Sequence, residues 1–299
     1  MNSPLPARLL AVALLSAAAK AGLVGPGVRG LTAVIPAAAA EIIPWPSAAD
    51  LAEAGIEVPE IAPPESGEID QFMGAISSQE SGGDYDAVGP TTRSGENAQG
   101  RYQILPSNWS SWAVEAGLPA DAEQTPMNQE IVARHKMLAY YEQFGNWEAV
   151  AVAWFAGPDR VGDPDVWTVD DGGATVREYV DTLIANMSKI HVDASIQPQV
   201  DQMVADAAAD GVTLTGVGWR SHGTQIELRD INGCPDVWES SPSSCRVPTA
   251  IPGTSLHERG LAIDFDMGAG VFDWLQAHAG AYGLHNLPTE EWHWSTTGG

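Results

Sequence analysis

The chain has 299 residues, 44% of them apolar, which is enough for two domains of ordinary size with sizeable cores. Its 39 acidic residues outweigh 14 basic ones, for a formal charge of −25. That balance excludes a basic nucleic-acid footprint and electrostatic adhesion to anionic lipid or other polyanions.

At the N-terminus, Arg8 precedes the apolar run Leu9–Leu15, which is too short to span a bilayer comfortably. Small residues follow, ending in Ala37–Ala40 before Glu41. Residues 1–40 therefore read as a signal peptide. The other reading is an uncleaved anchor, the only membrane attachment the sequence offers. Residues 41–65 are rich in Pro, Ala and Glu and read as a linker.

From Ser66, an expected N-cap, Ile69, Phe72, Met73 and Ile76 recur at helical spacing, until Gly82-Gly83 stops the helix. A polar loop is expected over 84–101, then helices at about 128–144, 147–156 and 175–190. Residues 66–190 thus read as an all-α domain. Pro198 opens a further helix, stopped by Gly211. The texture then changes. Residues 212–217 and 261–265 alternate like strands, Phe272 to Tyr282 reads as a helix, and Glu291–Trp294 as a last strand. Residues 195–299 are expected to form a separate α+β domain with a small antiparallel sheet.

Cys234 and Cys245, the only cysteines, flank a loop rich in Pro and Ser. They are free thiols in a reducing cytosol, and a disulfide if the chain is exported. No CxxC spacing supports a structural metal site. The eleven tryptophans are many for this length; core is the default for each, although exposed indoles also stack on sugar rings.

Glu80 continues the face of Met73 and Ile76. A carboxylate on an apolar face at a helix C-terminus meets desolvation and the negative end of the helix dipole, both of which favour its protonated form. A glycosidic general acid requires that form. Periodicity alone leaves open an exposed residue beyond a frayed end. The surrounding segments narrow the choice. Ala75–Gly83, Gly100–Pro106, Ala153–Pro158 and Arg177–Val180 resemble, in order, four motifs of the lysozyme-like soluble lytic transglycosylases. The resemblance implies cleavage of the MurNAc–GlcNAc bond in peptidoglycan glycan strands, with Glu80 protonating the leaving oxygen. The muramyl 6-hydroxyl then attacks the anomeric carbon. Gln103, and more loosely Tyr102, match cleft-lining positions. Phe155 stands where an asparagine is usual. No motif fixes a second carboxylate; Asp84 and Asp86 are near in sequence.

A second group of residues carries metal chemistry: His257, Asp264 and His293, with Glu290 and Glu291 beside the last. Imidazole nitrogens and a carboxylate suit catalytic zinc, which leaves a position for water. Asp264 lies on the polar face of its strand, with His257 in the turn before it. His257-Glu258 does not begin an HExxH helix, because residue 261 is Leu. The pattern Ser255-x-His257-x-x-Gly260-x-Ala262-x-Asp264, followed by Glu290-x-x-His293, resembles the zinc D-alanyl-D-alanine carboxypeptidases of the hedgehog/DD-peptidase group. Val217–Ser221 with Gln225 is similar to their upstream arginine motif. The resemblance implies Zn2+ on His257, Asp264 and His293, with Glu290 as general base. It also implies Arg220 on the substrate or the tetrahedral charge, and Ser255 and Gln225 at the substrate. In a regular strand Glu291, not Glu290, shares the face of His293. The resemblance therefore requires a turn or bulge before Trp292.

Together these features predict a two-domain, bifunctional peptidoglycan hydrolase acting outside the cytoplasm on glycan strands and stem peptides. The rivals are a zinc peptidase with a silent glycan-binding domain, and a wall-binding assembly protein.

Overall fold

A computed structural model describes residues 64, 67–92, 94–163, 165–170 and 173–299. The expected signal segment and most of the linker, with Ser66, lie outside the described residues. Among those described, no helix is long and apolar enough to cross a membrane.

The first half is helical. Its elements are α1 (Glu68–Glu80), α2 (Pro106–Glu115), α3 (Pro126–Phe144), α4 (Trp147–Ala156) and α5 (Val176–Met187). Local chemistry sets the ends. Thr125 caps α3 by accepting from Asn128 N, and Gly145, left-handed at φ 76°, closes it. Asn146 then caps α4. Thr175 and Glu178 form a capping box on α5. Helix α1 has Gly67, not Ser66, at its N-cap, with no side-chain cap. Its apolar face, Ile69, Phe72, Met73 and Ile76, is buried with Val132, Met137, Val150 and Leu183. Each such side chain contributes about 1.5–3 kcal/mol.

Two elements depart from expectation. The segment read as loop contains a hairpin, β1 (Val88–Thr91) with β2 (Asn97–Gln99). Helix α2 also went unread, because its Ser, Asn and Trp residues show little apolar period; only Trp109 and Ala113 are buried.

The second half contains α6 (Gln197–Ala209), β3 (Gly216–Val217), α7 (His222–Ile231), β4 (Ala262–Phe265), α8 (Val271–His278), β5 (His285–Leu287) and β6 (Glu290–Ser295). The sheet is antiparallel, in the order β3-β4-β6-β5. Met203 and Ala207 of α6 and Leu275 of α8 bury Ile263, Phe265 and Trp294 of the sheet. Strand β3 is much shorter than the alternation over 212–217 suggested. Cys234 and Cys245 form a disulfide.

The two halves pack together: residues 61–299 form one compact unit. Trp219, from the second half, is buried in the first core. Two carboxylates of the first half meet the N-terminus of α7, where backbone N–H groups are unpaired and the helix dipole favours negative charge. Glu130 accepts from His222 N at 3.0 Å, and Asp70 accepts from Thr224 Oγ1 at 3.0 Å. Arg134 Nη2 adds an ion pair, donating to both carboxylate oxygens of Glu227.

Candidate functional sites

Glu80 is the last residue of α1, half-buried, and followed by Ser81 and two glycines at positive φ. Its Oε1 accepts from Tyr179 Oη at 2.5 Å. Tyr179 is buried, and burial together with the Glu80 charge raises its pKa well above 10, so it stays a donor at neutral pH. Phe155 lies against it, ring centroids 4.4 Å apart. The residue at the usual asparagine position therefore braces the tyrosine that touches Glu80. Gln79 Nε2 donates to Tyr179 O, and Ser81 Oγ to Arg101 O, so the first motif is tied to the fourth and the second. Tyr179 was not singled out in the sequence, although it lies inside the fourth motif.

The second motif explains its own glycine. Gly100 has φ 73°, and a Cβ there would meet Gln129 Oε1 at 2.2 Å, the atom that accepts from Arg101 N. Tyr102 is fully buried in the first core, so it lies under the surface and does not line a cleft. Gln103 takes a left-handed φ of 50° and turns its amide onto Gly100 O at 2.8 Å. Asp84 Oδ1 accepts from Asp86 N, a local turn.

The other site is built on the sheet. Asp264 and His293 face each other across β4 and β6, which places both side chains on one face. His257 comes from the preceding turn, closed by Gly260 N donating to His257 O. Gly260 has φ 64°, and a Cβ there would meet Asp193 N at 2.4 Å. Three atoms converge: His257 Nε2 to Asp264 Oδ1 is 3.1 Å, His293 Nδ1 to Asp264 Oδ1 is 2.8 Å, and His257 Nε2 to His293 Nδ1 is 3.3 Å. A tetrahedron with ligand bonds of about 2.0 Å has edges of about 3.3 Å, so a small cation fits this donor set. His257 Nδ1 donates to Gly218 O at 2.7 Å; a carbonyl only accepts, so Nε2 presents its lone pair to the site. Burial opposes the Asp264 charge, but hydrogen bonds from His257 and His293 and the Arg220 charge hold the carboxyl well below its usual range.

Arg220 has two side-chain partners at the site. Its guanidinium donates to Asp264 Oδ2 at 3.0 Å and to Gln225 Oε1 at 3.2 Å, so it orients the carboxylate. Gln225 is buried and donates to Ala250 O. Ser255 is buried too, its hydroxyl accepting from His257 N. Strand β6 carries an irregularity: Asn286 pairs with Trp294, but Leu287 pairs with Glu290. Residues 291–293 bulge, so the face of His293 does not dictate that of Glu290. Glu290 is half-buried, whereas Glu291 is exposed. Of the two flanking tryptophans only Trp294 is buried; Trp292 is 45% exposed.

His222 is buried. Its Nδ1 lies 2.7 Å from Glu258 Oε1, and that partner raises its pKa, though burial works the other way. Sequence spacing carries no signal for a pair 36 residues apart.

The two halves thus define two kinds of domain: a helical body with one glutamate at a helix end, and an α+β body with a His/Asp/His cluster on its sheet. Residues 65–166 match the family model described as transglycosylase SLT domain. Residues 189–298 match the model described as D-alanyl-D-alanine carboxypeptidase. Both resemblances read from the motifs are thereby found, in that order, and they point to peptidoglycan transglycosylase and D-Ala-D-Ala carboxypeptidase activities. Among solved structures, "VanYB in complex with D-Alanine-D-Alanine" is similar at 23% identity, with a TM-score of 0.28, over 36% of this chain and 71% of its own. No curated protein matches the chain.

Proposed function

We propose that the chain is a bifunctional peptidoglycan hydrolase of the cell envelope, cutting glycan with its first half and a stem-peptide amide with its second. The observation that carries the reading is the convergence of His257 Nε2, Asp264 Oδ1 and His293 Nδ1 on one point.

In the first half, Glu80 is the general acid. It gives its proton to the glycosidic oxygen as the bond to the anomeric carbon breaks, and the muramyl 6-hydroxyl attacks that carbon while its own proton passes to the Glu80 carboxylate, leaving a 1,6-anhydro end and the acid restored. Tyr179, donating to one carboxyl oxygen, fixes the direction of the other. In the second half, His257, Asp264 and His293 would hold zinc. Bound zinc would supply Lewis acidity and an acidified water. Glu290 takes the water proton as oxygen adds to the amide carbon, and returns it to the departing amine nitrogen. Arg220 keeps Asp264 oriented. Export fits the disulfide and a substrate outside the cytoplasm.

One observation favours a second reading, in which the helical half only docks glycan: Phe155 packs on Tyr179 instead of offering an amide to a sugar. Digestion of purified peptidoglycan, with mass spectrometry of the products, tests the proposal. Anhydro-muramic ends and released D-alanine are expected; intact glycan chains sink the first activity. Cut cross-links in place of released D-alanine make the second an endopeptidase.

A further inference from the structure

Two buried carboxylates take no part in either mechanism. Glu258 follows the ligand His257, and its side chain is 9% exposed. Its oxygens accept from Gly253 N at 2.9 and 2.8 Å, from Ser255 N at 3.3 Å and from His222 Nδ1 at 2.7 Å. Ser255 Oγ in turn accepts from His257 N at 3.2 Å. One carboxylate therefore gathers the backbone of the turn that carries His257.

The other is Glu130, on α3 of the helical half, 7% exposed. Its Oε2 accepts from His222 N at 3.0 Å, and its Oε1 from Tyr85 Oη. Arg101 donates to Tyr85 Oη at 2.7 Å and, through Nε, to Ser77 Oγ at 2.7 Å. Ser77 lies one turn before Glu80 on α1. A continuous polar chain thus runs from the helix of the proposed glycosidic acid, across the junction, to the turn of the first metal ligand. Its six members, Ser77, Tyr85, Arg101, Glu130, His222 and Glu258, all line a cavity of about 970 Å³ that neither Glu80 nor the His/Asp/His cluster lines.

A buried carboxylate is costly unless donors satisfy it. Here the donors belong to the turn of His257 and to the N-terminus of α7, two residues after Arg220, which holds Asp264. We infer that Glu258 and Glu130 are positioning residues of the metal centre, so that the helical half, through Glu130, sets the metal affinity of the second half. This rests on the metal reading given above. The two active sites stay distinct, but the metal site of the second half then depends on contacts made by the first.

The test is made on the full chain. Zinc affinity is measured by chelator competition, and the ligand field by the visible spectrum of the cobalt-substituted protein. Losing a partner beyond the ligands typically costs 10–100-fold in metal affinity, so Glu258→Ala should weaken zinc binding about 10–100-fold and Glu130→Ala about tenfold. Both should melt cooperatively and show altered cobalt bands. Glu258→Gln and Glu130→Gln keep an acceptor oxygen and should recover most of the affinity. If Glu130→Ala fails to fold, His222 decides the matter. His222→Ala removes a partner of Glu258 and should weaken zinc binding. His222→Asn, whose amide nitrogen stands near the Nδ1 position, should restore it. Folded alanine variants that bind zinc as tightly as the unaltered chain, with unchanged cobalt spectra, overturn the inference and leave the metal reading intact. An unaltered chain that binds no zinc overturns the metal reading itself.

Discussion

Replacing Asp70 by Asn should stabilise the protein at neutral pH, although Asp70 is hydrogen-bonded at the junction of the two halves. Asp70 is 2% exposed, and burial pushes its pKa from 3.8 up to about 6, against the lowering effect of Ser221, Thr224 and Arg134. A carboxyl raised in the folded state contributes most favourably below pH 3.8. That contribution is lost as pH rises through 6, because the unfolded chain ionises freely while the folded chain pays for the charge. The gap between 3.8 and about 6 corresponds to about 3 kcal/mol at pH 7.5 and about 1 kcal/mol at pH 4.5. Asparagine keeps an oxygen to accept from Thr224 Oγ1 and carries no charge. Urea unfolding of the D70N variant beside the unaltered chain should therefore show a gain of about 3 kcal/mol at pH 7.5, shrinking to about 1 kcal/mol at pH 4.5. Groups that titrate in both proteins, such as His191, whose pKa burial lowers to about 4, cancel in the difference. A D70N protein less stable at pH 7.5, or a difference that does not vary with pH, would refute the reasoning.

Three further outcomes are expected. Glu80→Gln should lower glycan cleavage by about 10²–10⁴-fold with the melting midpoint retained, since only proton donation is lost; turnover of soluble glycan reads this. Glu290→Gln should abolish amide hydrolysis while Glu291→Gln leaves most of it, measured as D-alanine release; loss in the E291Q variant alone would make Glu291 the base. Changing Cys234 and Cys245 to Ser should cost about 3 kcal/mol, the loop-closure entropy of a short ring on the chain-entropy model, read by chemical denaturation.

The sequence was legible wherever apolar period or punctuation was strong. The buried face of α1, its stop at Gly82-Gly83, and the helices from 126 to 187 all follow from spacing and caps. The hairpin over Val88–Gln99 did not, because its strands are three and four residues long and mostly exposed, with no alternation to read. The His257, Asp264 and His293 set was legible as a donor combination, and the register of β4 on β6 brings it together. What spacing could not show was who satisfies whom across long separations. Arg220 turns to Asp264, His222 to Glu258, and Glu130 to the start of α7. Tyr102 misled for a related reason: a residue in a motif can be there to fill the core beneath the site.

The central claim is that one chain carries two separable active sites. The most direct measurement digests one preparation of purified peptidoglycan with the unaltered chain, with its E80Q variant and with the zinc-stripped chain, and follows glycan ends and released D-alanine by mass spectrometry. The account predicts that E80Q loses new glycan ends and still releases D-alanine, while zinc removal does the reverse until zinc is returned. New glycan ends from E80Q, or D-alanine release that survives thorough zinc removal, would contradict it.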